Sequence, residues 1–123
     1  MIVEEMKIRF ITIENVRFEI RETLTLDDLI KIERIICEEY NISVGLLRSH
    51  LKEYPYNDAR HITWFVLHHV FGQSKAGIAR YYERNHTSIL SSLRTMKGYM
   101  EKQDEKIMPH FRNIIHKLKE AYL

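Results

Sequence analysis

A chain of 123 residues, 45% apolar, with four Gly and two Pro, has the length and make-up of one packed domain, and collagen-like and low-complexity architectures are excluded. No apolar stretch approaches the roughly 20 residues that a membrane-spanning helix needs, and the acidic opening Met1 to Lys7 lacks the apolar run of a signal peptide, so a cytoplasmic protein is expected. The net charge is only +2, yet residues 1–40 hold six Lys/Arg against ten Asp/Glu and residues 41–123 hold thirteen against seven, which gives −4 and +6. Phosphate binding needs a local positive field rather than a positive average.

The amino end alternates. Lys7 to Ile13 and Val16 to Arg21 put apolar and charged residues on opposite faces of two strands, and Glu14-Asn15 can turn between them. Residues 1–24 are therefore expected to form a β-hairpin extension. A lone hairpin is marginal, so it should pack on helices or pair with another chain.

From Thr25 the period becomes helical. Thr25 can cap a helix over Leu26–Tyr40, with Asp27 and Asp28 complementing its dipole. Leu26, Leu29, Ile32, Ile36 and Tyr40 make its apolar stripe, widened by Ile30 and Cys37. As the only cysteine, Cys37 cannot form an internal disulfide and reads as a buried helical residue. Asn41 ends this helix. Ser43 caps a short one through about Leu51, and Pro55 makes 52–56 a loop.

Asn57 is expected to cap a helix from Asp58 to Phe71, apolar enough to be central and stopped by Gly72. Ser74 starts a short helix, Lys75–Tyr82. After Glu83-Arg84 another begins near Asn85, with Ile89, Leu93, Met96 and Met100 facing the core. A last helix runs from Pro109 to Tyr122, with a stripe of Phe111, Ile114, Ile115, Leu118 and Tyr122. The fold class expected is mainly α, a helical bundle with an added hairpin, residues 25–123 forming the domain.

Two short helices joined by a tight turn, the second opening on polar residues, describe a helix-turn-helix. Ile78 and Ile89 would hold the crossing, and small Ser92 would let the helices approach. Asn85, His86, Thr87, Ser88 and Ser91 would then face outward near a helix start, able to enter a major groove. An ordinary capped helical hairpin shares that spacing.

The residues add specificity. Ala59-Arg60-His61-Ile62, Ser74-Lys75-Ala76-Gly77-Ile78-Ala79 and Arg84-Asn85-His86-Thr87-Ser88-Ile89 resemble the carboxy-terminal DNA-binding domain of the bacterial replication initiator DnaA, a Trp-repressor-like helix-turn-helix. The resemblance covers about residues 26 to 120. It implies binding to double-stranded DNA, in replication initiation or in a related regulator, and a nucleoid-associated protein. It implies base contacts from Asn85, His86 and Thr87, and phosphate contacts from Arg60, His61, Ser74, Lys75, Arg84 and Ser88. It also implies a minor-groove loop from Arg48 to Tyr56, in which Arg48 and Lys52 are the cations. Two departures stand out. Asn85 replaces an acidic residue, and Asn suits adenine where an acid accepts from cytosine. The loop is poor in arginine and contains Glu53.

No Gly-x-x-x-x-Gly-Lys-Ser/Thr loop is present, so the initiator's ATPase module is missing. Adjacent His68 and His69 diverge by about 100° on a helix, and His61 and His68, two turns apart on one face, have no carboxylate or Cys between them at ligand spacing. Neither metal nor cofactor is expected, nor a hydrolytic constellation or other enzyme activity. Tyr82, four after Ile78, reads as core rather than as a base-stacking platform. The alternative to DNA binding is a protein-interaction module that reuses the fold, with the hairpin as its partner-binding edge and a route to self-association.

Overall fold

The computed structural model describes residues 8–21 and 24–122. Expectations on Met1–Lys7, Glu22, Thr23 and Leu123 fall outside them. Strand β1 (Ile8–Ile13) pairs antiparallel with β2 (Val16–Arg21), in register from Ile8 opposite Arg21 to Ile13 opposite Val16. Glu14 and Asn15 form the two-residue turn with φ of 50° and 64°. Positive φ at both positions matches the right-handed twist of the strands. Val16, at 5% exposure, belongs to the core, and β2 lies against the last helix.

Helix α1 (Leu26–Tyr40) starts at Thr25 with a reciprocal cap. The Thr25 hydroxyl accepts from the Asp28 N–H at 3.1 Å, and the Asp28 carboxylate accepts from the Thr25 N–H at 2.9 Å. Asn41, at φ 52°, closes it in the left-handed conformation. Ile32, Ile36, Cys37 and Tyr40 are buried as the stripe predicts, but Leu26 is 63% exposed. It lies in the first turn, before the helix reaches its neighbours.

Helix α2 (Val44–Arg48) is capped by Ser43, which accepts from the Leu46 N–H at 3.1 Å, and it stops three residues short of the expected Leu51. Helix α3 (Tyr56–Phe65) also corrects the expectation. Its N-cap is Pro55, which offers no side-chain cap, while the Asn57 oxygen accepts from Arg60. It then continues as one turn of π-helix (Val66–Val70), in which the Phe71 N–H reaches the Val66 carbonyl at 3.1 Å. Gly72, at φ 68°, ends the run.

Helix α4 (Lys75–Tyr81) is capped by the Ser74 hydroxyl, 2.9 Å from the Gly77 N–H. A Cβ at residue 77 would stand 2.9 Å from that oxygen, so glycine lets the cap close. Tyr82 leaves the helix. Glu83, at φ 54°, makes the turn, and α5 (His86–Lys102) begins at Asn85. Helix α6 (Met108–Tyr122) starts one residue before Pro109, which sits in its first turn. Helix α3 is central and packs on α1, α2 and α5; α6 packs on α1. Ile32, Ile36, Leu47, Ile62, Ile89, Met96, Phe111, Ile114 and Ile115 fill the space between them. The fold is mainly helical with an amino-terminal hairpin.

Candidate nucleic-acid interface

Ile78 (2% exposed) and Ile89 (0%) belong to the same core cluster, one on α4 and one on α5, and the two helices pack against each other. Asn85, His86, Thr87 and Ser91 are exposed along the opening turns of α5, and Ser88 is half-buried. Asn85 is also the cap. Its Oδ1 accepts from the Ser88 N–H at 2.8 Å and from the Ser88 hydroxyl at 2.9 Å. Both lone pairs are thereby occupied, and only the two Nδ2 hydrogens face outward.

Beside this helix start lies a groove of about 500 Å³. Asn85, Thr87, Ser88 and Ser91 form one wall, His50 and Lys52 the other, and Arg60, His61, Trp64 and Arg84 the base. Arg84 ties the two walls together. It donates to the Ser49 carbonyl at 2.6 Å and the Tyr82 carbonyl at 3.0 Å, and stands 3.0 Å from His50 Nε2. Its guanidinium lies 5.7 Å from the centre of the Trp64 ring.

Arg60 is 4% exposed. Its guanidinium donates to the Leu46, Leu47 and Ser49 carbonyls at 3.4, 3.3 and 2.9 Å, and to the Leu51 carbonyl. These carbonyls belong to the last turn of α2 and to the loop after it, so the guanidinium pins the chain where that helix ends; Leu46 also accepts from the Ser49 N–H at 3.2 Å. Burial, and then the charge of Arg84, depress the Arg60 pKa. Among the described residues, no carboxylate pairs with either guanidinium. Two unneutralised cations therefore underlie the groove.

His61 is half-buried, with Nδ1 2.5 Å from the Ser92 hydroxyl. Burial, then the neighbouring Arg60 charge, push its pKa down to about 4, so it is neutral at pH 7. Ser92 thus holds the imidazole as well as sparing room between helices.

The remaining expected contacts sit elsewhere. Ser74 and Lys75 lie at the start of α4, and Lys75 lines a separate groove on the far flank of α5. Arg48 departs from the minor-groove expectation. Its Nη2 and Nε bind the fully buried Glu33 carboxylate at 2.6 and 3.0 Å, and it also donates to the Tyr81 hydroxyl. The Tyr82 hydroxyl donates to Glu33 at 2.8 Å, so Tyr82 is core, as expected. Lys52 remains exposed on the loop. The sequence reading missed His50, Asn57 and Trp64 as groove residues, and a His two residues from Lys52 was the available signal for the first.

Residues 29–96 match the family described as the bacterial dnaA protein helix-turn-helix. The chain belongs to that family. The match runs from α1 through most of α5 and so contains the whole groove, while the hairpin and α6 lie outside it. Domains of this DnaA-type family bind double-stranded DNA and are not a catalytic family. Among the described residues, no helix is long and apolar enough to cross a membrane.

Proposed function

We propose that this DnaA-type helix-turn-helix binds duplex DNA in a sequence-dependent way, with the start of α5 in the major groove. The observation that carries the reading is that exposed Asn85 and Thr87 line the same groove as two guanidinium groups with no ion-pair partner among the described residues, with exposed His86 beside them at the start of α5. Short polar side chains at a helix start can reach base edges, and a positive floor attracts the backbone. Lys52, Ser74, Lys75 and Ser88 serve as phosphate contacts. Arg60 and Arg84 act chiefly by fixing loop 49–55 beside α5 and by adding field. Residues 25–123 make the DNA-binding unit, and the hairpin stands outside its contacts.

Asn85, capping with its oxygen, is assigned to base acceptors such as purine N7, guanine O6 or thymine O4, rather than to the two-point adenine contact. Selection from random duplexes tests the proposal, together with titration at about 50 and 200 mM salt, over which phosphate-anchored binding weakens steeply. Equal affinity for all duplexes would remove the sequence-dependent part, and salt-independent affinity the phosphate-anchored part.

A second reading, protein interaction through the hairpin, draws on one feature. Among the described residues β1 pairs only with β2, which leaves its outer edge open as a template for a further strand, including one from another copy. Absence of duplex binding at low salt would bring this reading forward.

A further inference from the structure

The flank of α5 turned away from the DNA-facing groove borders a second, larger groove of about 820 Å³, closed by the hairpin turn and the π-turn. Its floor is apolar, with buried Phe65 and Leu93 and half-buried Leu90 and Met100. Its rim carries Lys75, Arg94 and Lys97 against Glu14 and Glu101, and Glu14 is turned toward Arg112 at 3.6 Å. Among the described residues, Arg94 and Lys97 have no ion-pair partner. His69 registers the same field: burial first, then His68, Lys75 and Lys97, lower its pKa. A bare phosphodiester backbone gains nothing from such a floor, whereas an acidic segment with an apolar side chain matches both parts of it.

The chain carries one such segment. Leu26 is a large apolar side chain at 63% exposure. Asp27 beside it is exposed and has no ion-pair partner among them, whereas Asp28 is engaged in the Thr25 cap. The hairpin turn borders the groove through Thr12, Ile13 and Glu14, and Leu26 opens α1.

We propose that copies of this chain associate head to tail, Leu26 and Asp27 of one copy seating on the apolar floor and the Arg94–Lys97 rim of the next. Such a contact is heterologous and leaves a free groove at one end and a free Leu26 at the other, so association continues with concentration instead of stopping at a closed dimer. A contact built on one apolar side chain and a charge pair is weak and salt-sensitive.

The test is sedimentation equilibrium of the full chain without DNA, at low and high salt. Wild type should show mass rising with concentration at low salt and falling back toward monomer at high salt. Lys97→Glu alone and Asp27→Lys alone should each weaken association severalfold, with helical content and the selected DNA sequence unchanged, since neither residue lines the groove at the start of α5. An equimolar mixture of the two variants should recover association, because the lysine at 27 of one meets the glutamate at 97 of the other. The reciprocal contact in that mixture is the wild-type one. Wild type that stays monomeric throughout overturns the proposal. So do single variants that associate like wild type, as pairing through the β1 edge would give, and a mixture that stays as weak as its components.

Discussion

The Asn85 carboxamide oxygen and the Ser88 backbone N–H, 2.8 Å apart, join the cap of α5 to its reading end. One side chain both starts the helix and faces the groove, so the two tasks share its chemistry. An aspartate would keep the cap, since Asp caps as well as Asn. It would replace the outward N–H donors by an acceptor. Asn85→Asp should therefore melt within about 0.5 kcal/mol of wild type. In selection from random duplexes it should move the preference at one or two positions toward base donors such as cytosine N4. Asn85→Ala should lose that preference and also about 1 kcal/mol of stability. An unchanged selected sequence for folded Asn85→Asp would remove Asn85 from the reading set.

His61 gives a pH dependence with a definite sign. Its folded pKa, about 4, lies below the ordinary 6.5 because burial, then Arg60, disfavour the imidazolium. The unfolded chain binds the proton more readily over that interval, so acid favours unfolding there. The stability carried by neutral His61 is complete above about pH 6.5 and is lost as pH falls toward 4, to the extent of roughly 3 kcal/mol. Denaturant midpoints for wild type and His61→Asn should diverge above pH 6.5 and converge toward pH 4. Near pH 7 the ring is uncharged, so the substitution should leave the salt dependence of DNA binding unaltered. A reduced salt slope would show that His61 is charged in the complex.

Arg60→Ala should be among the costlier single changes. It strips the Leu46, Leu47, Ser49 and Leu51 carbonyls of a shared charged donor. Water reaches some of these carbonyls in the variant, so the expected loss is roughly 2–4 kcal/mol rather than the sum of separate bonds. Calorimetry or urea unfolding measures it. Arg60→Lys should recover little, because one ammonium cannot span carbonyls on both ends of the loop. At temperatures where Arg60→Ala is folded, affinity for preferred and random duplexes should fall by similar factors.

The division between what was legible in the chain and what was not follows sequence distance. Thr25, Ser43, Ser74 and Asn85 were each readable as caps because a cap is a bond to an N–H three residues on. The Glu14-Asn15 turn and the exposed start of α5 were readable for the same reason. Three features depended on partners far along the chain. Glu33 shares the stripe of α1 only by widening it, and its burial rests on Arg48 and Tyr82, 15 and 49 residues away. Arg60, matched to a phosphate-binding position, instead serves carbonyls 9 to 14 residues earlier. Helix α3 begins at Tyr56, where no capping side chain marks a start, and the π-turn after it leaves no local pattern at all.

Glu33 and Arg48 are unequal partners, which fixes the order of their variants. The Glu33 side chain is fully buried, while that of Arg48 is 41% exposed. Removing the arginine strands a buried carboxylate with only the Tyr82 and Tyr81 hydroxyls beside it; removing the carboxylate frees a guanidinium that can turn to water. Arg48→Met should therefore cost about 3–5 kcal/mol and Glu33→Gln distinctly less, by urea unfolding. Folded Arg48→Met should bind duplex DNA with near wild-type affinity, since the arginine points into α1 and not into the DNA groove. A large selective loss of binding by folded Arg48→Met would restore it to the minor-groove set.

The hairpin lies outside the family match, yet it is not a detachable appendage. Val16 is 5% exposed and sits in the same core as Ile114, Ile115 and Leu118, which are fully buried in α6. Glu14 reaches Arg112 of α6 at 3.6 Å, a pair exposed on the arginine side that adds little by comparison. Burying a Val side chain is worth roughly 1.5–3 kcal/mol, so Val16→Ala should lower stability by about 1–2 kcal/mol. Glu14→Ala should fall within about 0.5 kcal/mol of wild type. Removing residues 1–21 should cost more than either, because it uncovers the face of α6 that β2 protects. None of these changes touches the DNA-facing groove lined by Asn85, Thr87, Ser88 and Ser91. At a temperature where every variant is folded by circular dichroism, affinity for the selected duplex should stay within about twofold of wild type, a difference below 0.5 kcal/mol. A folded truncation that no longer binds DNA would place the hairpin inside the DNA interface. A truncation as stable as wild type would contradict the packing of Val16.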